Sequence, residues 1–195
     1  MDFKLNPTAR FLTFFGSALF LTATLTSSAH AEKADSQKKT LINAEHTVYD
    51  GKTGTKTLAG NVELTRGTLL IKAENAVETE TSDGGMVTLS GKPGSQVFFR
   101  QKRDGGPDLW IEGSADRVEY DKKTEVVKFI AKANVRYLSQ QKMTQEQNGE
   151  FLSYDSINDV FTATNSTSGK RVPGGGRVTI TSEPKQAKTE AKQEK

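Results

Sequence analysis

The chain has 195 residues, contains no cysteine and carries a formal net charge of +3. The missing cysteine excludes disulfides, thiol catalysis and thiolate metal sites, so non-covalent packing must hold the fold together. The mild positive charge is too small to indicate nucleic-acid binding, although it is compatible with a partner that carries phosphates.

Residues 1–31 have the three parts of a cleavable export signal. Two basic residues precede an apolar, uncharged run over residues 11–25, and an Ala-His-Ala cleavage motif ends at Ala31. The apolar run is shorter than the roughly 20 residues that a membrane-spanning helix needs. We therefore expect cleavage after Ala31 and a soluble, exported protein that begins at Glu32.

Beyond the signal, the sequence divides into three segments. Residues 32–39 are charged and predict a flexible lead-in, and residues 183–195 predict a disordered tail rich in Lys and Glu. Residues 40–182 instead alternate apolar and polar side chains, as in residues 61–65, and turn residues recur about every 8–12 positions. A period of two predicts strands with one buried face, so we expect an all-β domain.

A weak internal repeat subdivides this domain. Residues 44–50, 115–121 and 149–155 each begin with a small residue and an acid and end in Tyr-Asp, and residues 73–79 form a degenerate fourth copy. Repeats of about 20–50 residues indicate stacked units that share one core. Aspartate favours the first position of a turn because it accepts hydrogen bonds from nearby backbone N–H groups. We therefore predict a turn directly after each Tyr-Asp pair.

Patterns of catalysis and metal binding are missing from the sequence. His46 is the one histidine of the expected mature chain, and it lies in an ordinary strand pattern. The sequence has no nucleophile elbow, no zinc-protease motif and no phosphate-binding loop. No cluster of closely spaced aspartates supports calcium binding. We therefore expect no enzyme activity, no catalytic residue, no cofactor and no metal.

The apolar side of the strands is compatible with two arrangements. It either fills a closed core or lines a partly open trough that takes a lipid, and the alternation is the same in both cases. Burial stabilises an acyl chain by roughly 0.8 kcal/mol for each CH₂ group, so such a trough would hold long chains well. The strands at the two ends of an open trough would be unpaired and available to another chain.

Several motifs follow one another in a characteristic order along residues 40–172. They are Gly60 to Glu74, Gly91-Lys92-Pro93 followed by Val97-Phe98, Ala115 to Asp121, Ala133-Asn134-Val135, and Gly169-Lys170-Arg171-Val172. In this order the motifs resemble the LptA/OstA-like family of periplasmic lipopolysaccharide-transport proteins. Two departures are the Lys132-Ala133-Asn134 stretch, where the family usually has a glycine before the asparagine, and an insert from Pro173 to Gly176.

The resemblance implies a fold, a ligand and partners. The fold would be a twisted, open, V-shaped antiparallel β-jelly roll built from about four weak repeats. The protein would carry lipopolysaccharide in the periplasm, with the lipid A acyl chains in the apolar trough. Copies would join head to tail through terminal strands, here near residues 40–49 and 177–182. They would link the membrane-anchored periplasmic subunit of the inner-membrane complex to the outer-membrane translocon, without nucleic acid.

Ten residues are the predicted ligand-binding positions of the apolar groove. Ile42, Phe98 and Tyr120 are assigned through the resemblance. The alternation of apolar residues along the strands adds the others, which are Val62, Leu64, Leu69, Ile71, Val118, Val135 and Tyr137.

Two further hypotheses are compatible with the sequence. The first is the membrane-anchored transport partner of the same fold, which would keep its amino-terminal segment uncleaved. The second is an exported carbohydrate-binding or adhesin β-repeat protein. That protein would need exposed rows of aromatic side chains to stack on sugars, but Trp110 is the one tryptophan available.

Overall fold

The computed structural model describes residues 35, 37–82, 84–106, 108–155, 157–158 and 160–184. The predicted signal peptide and most of the predicted tail lie outside these described residues. Within them, no helix is long and apolar enough to cross a membrane. The fold consists of antiparallel strands, which are β1 (Thr40–Asn43), β2 (His46–Asp50), β3 (Thr55–Arg66), β4 (Leu69–Thr81), β5 (Gly84–Ser90), β6 (Val97–Lys102), β7 (Leu109–Ala115), β8 (Arg117–Asp121), β9 (Val126–Ser139), β10 (Lys142–Asp155), β11 (Val160–Thr164) and β12 (Thr179–Ser182).

The strands form two layers, and each of the four longest strands runs through both layers. In what we call the first layer, parts of β3, β4, β9 and β10 pair with β2, β5, β8 and β11. In the second layer, the remaining parts of the same four strands pair with β1, β6, β7 and β12. The layers therefore meet along one line, which we call the corner, and their opposite ends form a rim of turns.

The long strands bend at the corner through residues with positive φ. Gly60 and Asn61 in β3 have φ values of 76° and 46°, and Ala131 and Lys132 in β9 have values of 64° and 50°. The pairing register between β3 and β4 shifts at the first of these sites. Such irregularities kink a strand and redirect it. Ala131 and Lys132 thus adopt the left-handed conformation, which is uncommon for residues other than glycine.

The sequence repeat marks this corner. Its small-acid pairs, such as Ala115-Asp116, lie where the chain passes from one layer to the other. Backbone hydrogen bonds continue across the corner, since Asp116 N donates to Ala131 O at 3.0 Å. Asp116 Oδ2 also pairs with Lys132 Nζ at 3.1 Å. This exposed ion pair contributes at most about 1 kcal/mol, so the backbone pairing dominates at this position.

The Tyr-Asp ends of the repeat lie at the rim of the first layer. Asp50, Asp121 and Asp155 each accept a hydrogen bond from the backbone N–H two residues further on, at N···O distances of 2.8, 2.9 and 3.1 Å. Hydrogen bonding stabilises the charged carboxylate, and it lowers the pKa of all three side chains. The prediction of a turn after each pair is therefore confirmed.

The core lies between the layers, close to the corner. Phe99 of the second layer and Phe129 of the first are in contact, with ring centroids 5.2 Å apart. Leu152 and Val97 are the largest fully buried side chains. The buried cluster as a whole consists of Val97, Ala115, Val118, Phe129, Ala133, Val135 and Leu152.

We expect Leu152→Ala to lower the free energy of unfolding by about 2–5 kcal/mol, because the change leaves a cavity in close-packed surroundings. Leu152 is 0% exposed and pairs with Phe129 across the sheet. Equilibrium denaturation in urea would measure the loss. Ser153→Ala, on the opposite face of the same strand, is the control and should change stability by no more than about 0.5 kcal/mol. Equal losses in both variants would contradict this placement of the core.

Candidate functional site

Each layer has an inner face turned towards the other layer and an outer face turned away from it. In β8, Val118 belongs to the buried cluster and therefore lies on the inner face, which Tyr120 shares because strand residues alternate. Arg117 and Glu119 lie on the outer face of the same strand and form an ion pair with an N···O distance of 3.2 Å. The predicted alternation of apolar and polar faces thus has a clear spatial counterpart.

The structure brings nine of the ten predicted groove residues onto this inner face. Val62, Val118 and Val135 are buried near the corner, at 4%, 6% and 3% exposure. Tyr120 is 39% exposed and lies at the rim of the first layer. The remaining five are half-buried positions of the second layer, which are Ile42, Leu64, Leu69, Ile71 and Tyr137.

Phe98 differs from the expectation, because the structure places it on the outer face. It pairs with Lys72 and Ser114, whereas its neighbour Phe99 pairs with Ile71 on the inner face. A shift of one residue along a strand exchanges the two faces. Residues 97–99 are all apolar, so alternation alone left the inner positions undetermined here. Within this run Val97 and Phe99 lie on the inner face, and neither is among the ten predicted groove residues.

The inner face changes in character from corner to rim. Near the corner, the contact between Phe99 and Phe129 closes the space between the layers. Towards the rim, polar side chains join the apolar ones on the same face, with Arg66 beside Leu69 in the second layer. Burial raises the pKa of the Tyr120 phenol, and the charge of Arg66 partly opposes this shift. The inner face is therefore apolar near the corner and amphipathic near the rim.

At both ends of the two layers, the last strand has one edge without a neighbouring strand. Within the described residues, β1 and β2 pair with β3 alone, and β11 and β12 pair with β10 alone. The predicted edge segments thus lie at the two ends, and β11 is an edge strand that the sequence analysis missed. Seven of the ten exposed large apolar side chains cluster at these ends, namely Leu41, Val48, Tyr49, Ile157, Val160, Val172 and Ile180.

The glycine-rich insert before β12 is held by one side chain. Asn165 Nδ2 donates to Val172 O at 2.9 Å and to Gly176 O at 2.8 Å. Val172 N donates back to Asn165 Oδ1 at 3.0 Å. These bonds close the loop between β11 and β12 and so position the carboxy-terminal edge of the second layer.

The described residues hold no group of three or more His, Cys, Asp or Glu side chains placed to bind a metal ion. His46 is exposed and lies at the start of the edge strand β2, opposite Ala59. The polar side chain that departs most from the expectation is Asp35, in the predicted lead-in. It is 3% exposed and accepts a hydrogen bond from Thr68 N at 2.9 Å.

Two antiparallel layers that meet at one corner, share an apolar inner face and stay open at the rim and both ends define an open β-jelly roll. The family model described as "LptA/(LptD N-terminal domain) LPS transport protein" matches residues 41–160. The chain belongs to this family of transport proteins. The fold class predicted from the sequence and the family resemblance are both confirmed.

A curated relative and a solved structure agree with this assignment. The chain is 29% identical over 135 residues to the lipopolysaccharide export system protein LptA of Haemophilus influenzae, a match that covers 66% of this chain and 72% of that protein. The crystal structure of LptH, the LptA-homologous periplasmic component of the lipopolysaccharide transport device of Pseudomonas aeruginosa, superimposes with a TM-score of 0.61. That match is 20% identical and covers 77% of this chain and 99% of LptH, so it supports the shared fold.

Proposed function

We propose that this protein is a periplasmic, non-enzymatic carrier of lipopolysaccharide that binds the acyl chains of lipid A against the inner face of its jelly roll. The observation that carries the proposal is the inner face itself, where nine predicted groove residues share one surface. Their exposure rises from 3% at Val135 near the corner to 39% at Tyr120 near the rim. The names of the family and of the curated relative support lipopolysaccharide as the ligand.

Acyl chains enter at the rim, because the space near the corner is filled by side chains such as Phe99 and Phe129. Each CH₂ group that leaves water contributes roughly 0.8 kcal/mol, which offsets the cost of parting the layers at their open side. The sugars and phosphates stay at the amphipathic mouth, where Arg66 and Tyr120 lie. No cofactor takes part, and the carrier itself supplies only binding energy.

Copies of the protein join head to tail through their edge strands and form a bridge across the periplasm. One row of the inner face begins at Ile42 and continues through Leu64, Ile71 and Phe99. The same row ends at Ile180, which is 60% exposed at the opposite edge. Gln147 lies between Val135 and Ile180 in this row, and joined copies would bring the apolar ends of the row, Ile180 and Ile42, next to each other. A contact between two different edges does not close on itself, which suits a bridge.

The two ends of the bridge are completed by membrane partners. At one end of the bridge, the exposed strands β1 and β2 pair with a strand of the membrane-anchored periplasmic subunit of the inner-membrane complex. At the other end, β11 and β12 pair with a strand of the outer-membrane translocon. Strand addition of this kind derives its affinity from main-chain hydrogen bonds. The amino-terminal segment directs export, and cleavage after Ala31 releases the mature chain from the inner membrane.

Photo-crosslinking in living cells tests the proposed ligand. A photo-reactive residue in place of Tyr120 is expected to give a lipopolysaccharide adduct, because this side chain lies on the inner face at the rim. Glu119 is the matched control, since it is the adjacent residue on the outer face. Both variants should accumulate in the periplasm to the same level. Adducts at both positions, or at Glu119 alone, would contradict the assignment of the ligand to the inner face.

A further inference from the structure

The turn between β3 and β4 presents hydrogen-bond donors at the rim of the groove, and an acidic side chain of the protein occupies them. Asp35 Oδ1 accepts a hydrogen bond from Thr68 N at 2.9 Å, and Asp35 Oδ2 accepts one from the Thr68 hydroxyl. Gln101 Nε2 lies 3.4 Å from Oδ2. Asp35 is only 3% exposed.

The turn is shaped to admit an oxygen anion. Gly67 has a φ of 61°, and it begins the two-residue loop between β3 and β4. A Cβ atom at this position would collide with the Asp35 carboxylate. Lys102 N donates to Thr68 Oγ1 at 3.1 Å, which leaves the hydroxyl proton directed at the anion. A side chain at position 67 would therefore fill the space that the carboxylate now occupies.

Arg66 supplies positive charge beside this turn. It pairs with Leu69 on the inner face of the second layer, and Gln101 lies on the same face opposite Ile111. Arg66 Nε is buried and has no hydrogen-bond partner in the described part of the chain. A phosphate oxygen beside the turn would supply an acceptor for this nitrogen. Hydrogen bonds and the charge of Arg66 outweigh the effect of burial and hold the pKa of Asp35 below its ordinary value.

We propose that Thr68, Gln101 and Arg66 form a phosphate-monoester site at the rim of the groove, and that Asp35 closes this site until a phosphorylated ligand displaces its carboxylate. A phosphate monoester carries about −1.5 to −2 charge near neutral pH and has three terminal oxygens. It therefore satisfies the donors that Asp35 uses and also reaches Arg66. The two oxygens of the Asp35 carboxylate accept the hydrogen bonds that two oxygens of that phosphate would accept.

The competition between Asp35 and a phosphate depends on how each is held. Asp35 is joined to β1 through a few residues, so its carboxylate acts at an effective concentration on the order of millimolar. Free phosphate must exceed that concentration to enter. A phosphate on a lipid whose acyl chains already lie in the groove is also held near the site, so its effective concentration is raised in the same way. This part of the inference rests on the proposed carrier function, whereas the anion site itself does not.

The first experiment titrates inorganic phosphate into the isotopically labelled mature protein and follows the amide signals of Thr68 and Gln101 by NMR. Asp35→Ala is expected to bind phosphate about tenfold more tightly than the wild type, because the competing carboxylate is gone. Asp35→Asn retains the size of the side chain and should give a smaller gain. Adding Arg66→Gln to Asp35→Ala should abolish the gain. Unchanged Thr68 signals in Asp35→Ala would overturn the proposal.

The second experiment compares lipopolysaccharide before and after enzymatic removal of its phosphates. Asp35→Ala is expected to raise the affinity for the phosphorylated form about threefold to tenfold and to leave the dephosphorylated form unchanged. A response to inorganic phosphate without this difference would identify free phosphate as the ligand of the site. Equal gains for both lipids, together with no phosphate response, would overturn the site. If neither lipid binds the wild type, the carrier function fails, and the phosphate titration still decides the site.

Discussion

Ile71→Asp is expected to lower lipopolysaccharide loading at least about tenfold, because it places a charge without a partner on the apolar face of the groove. Ile71 lies between Leu64 and Phe99 in the second layer, and all three side chains face inward. A tenfold loss corresponds to about 1.4 kcal/mol of binding free energy. Copurification of lipopolysaccharide with the folded variant would measure the effect.

The adjacent residue provides a matched control for this prediction. Leu70 is also a half-buried apolar residue of β4, but it lies on the outer face opposite Arg100. Leu70→Asp is therefore expected to load normally, since Arg100 accommodates the new charge outside the groove. Circular dichroism and urea denaturation would establish that both variants remain folded. Equal losses of loading in the two variants would count against a ligand on the inner face.

Ile180→Pro is expected to abolish self-association while the monomer stays folded. Glu183 N donates to Thr144 O at 2.9 Å, and Gln145 is paired with Ser182. The alternation of an antiparallel ladder then directs the N–H of Ile180 away from β10 and towards the free edge. Proline removes this N–H, which a strand added by the next copy would need, and it leaves the bonds between β12 and β10 in place.

The control for this prediction keeps the donor and removes the apolar side chain. Ile180→Ala is expected to weaken assembly less than the proline variant, because main-chain hydrogen bonds carry most of the affinity in strand addition. Sedimentation velocity over a range of protein concentrations would separate the two effects. If Ile180→Pro assembles at the same protein concentration as the wild type, β12 is excluded as the joining edge, and β11 becomes the candidate edge.

The two variants address different parts of the proposed function. Ile71→Asp should form filaments that carry little lipid, and Ile180→Pro should give loaded monomers that cannot form a bridge. Both are expected to stop lipopolysaccharide from reaching the cell surface, for distinct physical reasons. Complementation in cells, read together with loading and sedimentation, would therefore show whether binding and bridging are separable.

Local chemistry let the sequence predict a large part of this protein. A period of two determines which residues share a face, and the seven positions that alternation supplied all lie on the inner face. Turn chemistry is equally local, and the hydrogen bonds of Asp50, Asp121 and Asp155 occur where the Tyr-Asp motif predicts turns. The order of motifs also sufficed to assign the family, which the match over residues 41–160 confirms.

Three features depended on tertiary structure. The small-acid repeats mark the corner between the layers, a role that appears only when strands on both sides are paired. At residues 97–99 the apolar run allows either face, and the pairing of Phe99 with Ile71 decides the outcome. The enclosure of Asp35 joins residues far apart in sequence, since its carboxylate meets Thr68 and Gln101. Alternation and turn chemistry act over a few residues, whereas these contacts depend on how distant strands are brought together.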